Sequence, residues 1–242
     1  MPAPRTPLRT LAVCLAFTAA CAQPAPPAET PAAPAHDSAM DMHHLHGLMS
    51  HGLEMALEGA TLQMLGQMNM AGAVDKTAVD HGTAMLSEGR GLINSAIAGP
   101  AMMAMHTTSA NDPLMLYTHD LAKTMGTVLD HLQTMPAPDA KNQKDMALHH
   151  MHIALVHAAL MASQGASLKM AASMKMSEAV DTEASTHASA MFQHARGLYS
   201  ETINGDAMKA AHAADAAGDG MTATHNLGES VNALIESLAK MP

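Results

Sequence analysis

The chain can be laid over itself. The stretch "HHLHGLMSHGLEMALEGATLQMLGQMNM", from His43, aligns without a gap with "HHMHIALVHAALMASQGASLKMAASMKM", from His149, at an offset of 106 residues. The register holds to the end, where Met135-Pro136 falls on Met241-Pro242, and 37 of the 97 pairs between 40 and 136 are identical. Self-similarity of this kind marks a duplicated structural unit. Whatever residues 40–136 fold into, residues 146–242 are expected to repeat, with 137–145, "APDAKNQKD", as the connector. A residue type kept in both copies has a common job, in packing or in chemistry.

Each copy reads as three helices. The first spans about 40 to 70, the second about 75 to 98 with Asp75 as N-cap, and the third about 112 to 134, opened by Asp112-Pro113. A short helical turn near 101–107 carries His106. In the second copy Asp181 caps the second helix and Gly218-Asp219-Gly220 opens the third. Nothing alternates with period two over β-branched residues, so strands are not expected. The predicted fold is all-α, a six-helix bundle of two tandem three-helix repeats related by a pseudo-twofold axis.

What precedes the first copy reads differently. In residues 1–22, Arg5 and Arg9 lead into the apolar run "LAVCLAFTAACA", which is the pattern of an export signal and is too short to span a bilayer stably. Cleavage after Ala22 and lipoprotein processing before Cys21 are both compatible with "TAACA". Residues 23–39, rich in proline and alanine, read as an extended linker, with His36 incidental to it. Cys14 and Cys21 are the only cysteines, and under either route no free thiol enters the mature fold. Disulfides, thiolate metal sites and cysteine catalysis are therefore not expected. Both routes lead to the periplasm or cell envelope, and membrane attachment would be through an N-terminal lipid alone.

The formal charge is -10, becoming about -12 if Arg5 and Arg9 are removed, which argues against nucleic-acid binding driven by Lys and Arg. Aromatic residues make up 2% of the chain, tryptophan is absent and 25 residues are Met, so methionine must fill space usually given to larger side chains.

Of the eight histidines between 43 and 131, seven have a histidine partner 106 residues on: 43/149, 44/150, 46/152, 51/157, 81/187, 106/212 and 119/225. Nine methionine pairs persist, among them 55/161, 64/170, 85/191, 102/208 and 115/221. Carboxylates mostly do not: Glu54 becomes Leu160 and Glu58 becomes Gln164. Paired Glu and Glu-x-x-His ligands of a di-iron bundle, C-x-x-C-H, H-E-x-x-H and G-x-S-x-G are all absent, so no enzymatic apparatus is visible.

At 100° per residue, His44, Leu48, His51, Met55 and Leu62 share one stripe of helix one, and His150, His157, Met161 and Leu168 repeat it. His46, Leu53, Ala60 and Met64 make a second stripe on the opposite side. A helix with two non-polar faces is buried from both, which predicts a central position between the copies. In helix two the inward stripe reads Ala78, His81, Met85, Glu88 and Leu92, matched by Ala184, His187, Met191, His194 and Leu198. Exchange of Glu88 for His194 is what a metal site tolerates and an apolar core does not. In helix three Leu114, Thr118, Leu121, Met125, Val128 and Leu132 form the core stripe, leaving His119 and His225 at the surface or against the other copy.

These patterns predict an exported metal-binding protein with copper as the first choice of ion and zinc or nickel as alternatives. Imidazole suits all three, while thioether selects mainly Cu(I). The candidate ligands are His43, His44, His46, His51, Met55, His81, Met85 and Glu88, with His149, His150, His152, His157, Met161, His187, Met191 and His194 in the second copy. Imidazole binds as the neutral form, so affinity is expected to fall as pH drops through about 6.5. Two other readings stay open: a b-type heme held by facing histidines, and a cofactor-free interaction or structural protein of the envelope.

Overall fold

A computed structural model describes residues 38–241; the export-signal reading of 1–22 and nearly all of the linker lie outside them. Every regular element among the described residues is an α-helix: α1 (Ser38–Gln67), α2 (Ala73–Ala98), α3 (Pro100–Ser109), α4 (Pro113–Gln133), α5 (Gln143–Ser173), α6 (Glu178–Asn204), α7 (Asp206–Asp215) and α8 (Asp219–Ala239). Six are long, as expected. The short turn carrying His106 is a ten-residue helix, α3, and α7 is its counterpart.

Helix starts follow local chemistry. Asp112 caps α4, its carboxylate accepting from Leu114 N–H at 2.7 Å, with Pro113 at the first helical position. Asp75 is not the N-cap of α2, because Gly72 is. The Asp75 carboxylate instead reaches back from the first turn to accept from Ala71 N–H at 2.6 Å. Asp181 does the same for Ser177 N–H at 3.2 Å. Both carboxylates still answer the unpaired donors and positive end of the helix.

The described residues, 38–241, fall within one compact unit. Its centre is α1 against α5, running antiparallel, with His149 opposite Met64 and Ser167 opposite Glu54. Helices α4 and α8 pack on this pair and on each other, and α2 and α6 cover α1 and α5 from outside. The core is built from Leu, Ala and Met, with Met49, Met102, Met115, Met125, Met208 and Met221 almost wholly buried. Methionine therefore takes the space that the missing aromatic residues would occupy.

Two predicted stripes face the wrong way. His44, Leu48 and His51 lie on the exposed side of α1, and Met55 and Leu62 are only half-buried. His150 and His157 are likewise exposed on α5, with Met161 and Leu168 half-buried. On α2, His81 and Glu88 are exposed, and the buried residues are Asp75, Gly82, Leu86, Gly89, Ile93 and Ala96. His187 and His194 share that outward position on α6.

In the first copy the physical reason is glycine. Gly52, Gly59 and Gly66 recur every seventh residue on α1; Gly52 meets Gly89 and Gly59 meets Gly82 of α2 backbone to backbone, and Gly66 meets the backbone of Asp75 and Val79. A Cβ added at Gly89 would lie 2.3 Å from Gly52 O, and one at Gly82 would lie 2.4 Å from Gly59 O. The helices approach closely through residues with no side chain, and the histidines beside that seam are turned outward. The stripe of His46, Leu53, Ala60 and Met64 is buried as expected, as is that of α4.

Candidate metal centre

The tight α1/α2 seam fixes the register of the two helices, with Gly52 beside Gly89 and Gly59 beside Gly82. Arg90 is therefore level with His51, and His81 lies nine residues further along α2, about 13 Å away at 1.5 Å per residue. One ion cannot be held by both. Histidines seven residues apart on one helix, such as His44 and His51, His150 and His157, or His187 and the later His194, are separated by about 10 Å for the same reason. Glu88 sits outward in the same way, and Met55, Met85, Met161 and Met191 are half-buried beside these surfaces. Among the described residues, no three His, Asp or Glu side chains converge as a metal would require.

Three candidates are structural. His46 is 2% exposed, and its Nε2–H donates to Thr118 Oγ1 at 2.7 Å, while the Thr118 hydroxyl donates to Leu114 O. His152 makes the same bond to Thr224 Oγ1, also at 2.7 Å. Burial, reinforced by the neighbouring His43 or His149, pushes both imidazoles down to about 4. Both are neutral at physiological pH. His149 Nε2–H donates to Met64 O at 2.7 Å, satisfying one of the carbonyls left unpaired at the C-terminal end of α1. Burial lowers its pKa too, although that hydrogen bond to Met64 opposes the shift. His43 is half-buried, its ring 6.5 Å from that of His44.

Four other histidines come together instead. His106 Nε2, in the last turn of α3, lies 2.9 Å from His119 Nε2 on α4, with ring centroids 4.9 Å apart. His212 on α7 and His225 on α8 reproduce the pair, again at 2.9 Å and with centroids at 4.8 Å. In each pair one nitrogen carries the proton and the other offers a lone pair. Both pairs are at least partly open to solvent.

Each of these histidines follows a buried methionine by one helical turn. Met102 precedes His106 by four residues and Met115 precedes His119 by four; Met208 and Met221 stand in the same relation to His212 and His225. All four methionines are 2% exposed or less. A side chain on a helix leans over the turn before it, so each imidazole covers the turn that carries its methionine. His106 and His212 also lie in the last turns of their helices, where the negative end of the helix dipole favours a cation.

Two nitrogens bound tetrahedrally at 2.0–2.1 Å stand about 3.3 Å apart. The observed 2.9 Å needs an opening of only about 0.4 Å for an ion to replace the shared proton. Sequence reasoning kept these histidines as retained pairs but left them out of the site. The available signal was the constant separation of 13 residues, from His106 to His119 and from His212 to His225, with a methionine four residues before each.

Comparison with protein families, curated proteins and solved structures yields no match for this chain.

Proposed function

We propose that the protein binds copper, as Cu(I), at two sites per chain, using His106 with His119 and His212 with His225, and Met102, Met115, Met208 and Met221 as further ligands. The role is sequestration, storage or delivery in the cell envelope after export. The observation that carries this reading is the convergence of two imidazole nitrogens at 2.9 Å, in the same geometry in both copies. Neutral imidazole with thioether is a donor set that favours Cu(I) over Zn(II) or Ni(II). Duplication supplies two equivalent halves, related by a pseudo-twofold axis through the α1/α5 contact, and with them two equivalent sites.

Copper titration of the purified chain without a His-tag, in competition with a chromophoric Cu(I) chelator, is expected to give two bound ions per chain. His106→Ala combined with His212→Ala should abolish that binding, whereas His44→Ala combined with His150→Ala should leave it intact. The reading fails if binding is no tighter than about micromolar, or if the first double variant keeps it.

Replacing Met102, Met115, Met208 and Met221 by Leu, a swap of similar volume that cores tolerate, tests the thioethers. Cu(I) affinity is expected to fall by about tenfold or more per site while Zn(II) affinity stays unchanged, because only the soft ion uses sulfur. Equal losses for both ions would assign the methionines to packing alone.

A further inference from the structure

Two turns carry methionines that packing does not explain. Helix α1 is followed by Met68-Asn69-Met70 and α5 by Met174-Lys175-Met176, one such turn in each copy. Among the described residues, Asn69 and Lys175 are the non-glycine positions with positive φ, at 56° and 54°. A left-handed residue just past a helix carries the chain away from it. The methionine that comes next stands in solvent: Met70 is 72% exposed and Met176 67%.

Comparison of the copies sharpens this. Leu48, Leu65 and Leu116 are exposed too, yet their counterparts are Ala154, Ala171 and Thr222. Met70 is kept as Met176, although its neighbours Asn69, Ala71 and Gly72 have become Lys175, Ser177 and Glu178. Val74 persists as Val180 nearby, so retention alone does not single out the methionines; sulfur and its access to solvent do.

A thioether reached by solvent has two chemistries open to it, soft-metal ligation and oxidation. Ligation needs donors that converge, and the turns do not offer the same second thioether: Met68 is 9% exposed and Met174 45%. Oxidation needs access alone, which Met70 and Met176 have in equal measure. Position also decides what the product does to the fold, because a sulfoxide is polar and chiral. At Met70 or Met176 the added oxygen faces water, beyond the last turn of α1 or α5. At Met49 or Met125, both 0% exposed, the same oxygen would have to enter the core and bury a polar group.

We propose that Met70 and Met176 are modification sites, oxidised by hydroperoxides to methionine sulfoxide in the folded chain ahead of the core methionines. The sulfur lone pair attacks one peroxide oxygen, so that an S–O bond forms as the O–O bond breaks. Sulfur loses two electrons and the peroxide gains them. The proton on the transferred oxygen passes to the other oxygen, which leaves as water or an alcohol. Return to the thioether then takes a methionine sulfoxide reductase.

Hydrogen peroxide added to the chelator-treated full chain, with tandem mass spectrometry of its peptides over time, follows oxygen uptake at each methionine. Met70 and Met176 are expected to react at least about tenfold faster than Met49 and Met125 in the folded chain, and at the same rate as these in urea. The chain that carries these two oxygens should keep its helical circular dichroism and its melting temperature. Met70→Leu with Met176→Leu, at two exposed positions, should fold as the parent does and take up less oxygen in the early phase. The proposal is overturned if Met70 and Met176 react no faster than Met49 and Met125 before unfolding, if the variant's early uptake equals the parent's, or if oxidation at these two positions unfolds the chain. With metal removed, either result leaves the copper reading as it stands.

Discussion

Acidification from pH 7.5 to 4.5 is expected to remove about 5 kcal/mol of folding stability through two histidines, His46 and His152. Both are pushed down to about 4 by burial in the native state, against about 6.5 in the unfolded chain. Above pH 6.5 neither state binds a proton at these rings, and stability is flat. Between 6.5 and 4 the unfolded chain takes up protons that the folded chain refuses, so stability falls with pH and the loss levels off below pH 4. At pH 4.5 the linkage amounts to about 2–3 kcal/mol for each ring. Urea unfolding at a series of pH values measures this.

The His46→Leu, His152→Leu variant supplies the control. Thr118 and Thr224 donate their hydroxyl protons to backbone carbonyls, so replacing each histidine by an apolar residue leaves no donor stranded. This variant should lose most of the slope between pH 7.5 and 4.5. An equal slope in parent and variant would mean that other groups cause the acid sensitivity.

Substitution at the glycine seam is expected to be the most damaging single change. Gly89→Val places a Cβ 2.3 Å from Gly52 O and adds two methyl groups beyond it. The obstacle is backbone, which cannot turn aside like a flexible side chain, so α1 and α2 must separate along the whole seam. Overpacking a well-filled core costs about 1–3 kcal/mol and sometimes more, and here the upper end applies. Ala195, its counterpart on α6, is also fully buried but already carries a Cβ. Ala195→Gly should cost only about 1 kcal/mol, mainly from helix propensity. Thermal or urea unfolding of the two variants tests the contrast. A loss below about 1 kcal/mol for Gly89→Val would show that the seam yields.

Much of the architecture was legible because it rests on long-period signals. The all-helical class, the six long helices and the Asp112-Pro113 start survive in the structure nearly unchanged. Face assignment failed because the hydrophobic pattern treats glycine as neutral, whereas Gly52, Gly59, Gly66, Gly82 and Gly89 are what α1 and α2 bury against each other. Counting large apolar residues therefore drew the stripe through Leu48 and Leu62, and carried His44 and His51 inward with it.

The histidine pairs were hidden for a different reason. His106 and His119 sit on separate helices, and only the turn between α3 and α4 brings their nitrogens together. Helical periodicity operates within one element and cannot see this. Retention of Asp130 as Glu236 had a similar cause: these residues pair with Arg90 at 2.5 Å and Arg196 at 2.9 Å, which tie the second long helix of each copy to its third.

The central contact between α1 and α5 also governs when the chain can close. His149 reaches Met64 across 85 residues of sequence, so the part of α1 that packs on α5 has no cover until the second copy has been synthesised. Contacts so distant in the chain slow folding and leave apolar surface open in the meantime. A nascent chain that ends before α5 therefore leaves that part of α1 uncovered.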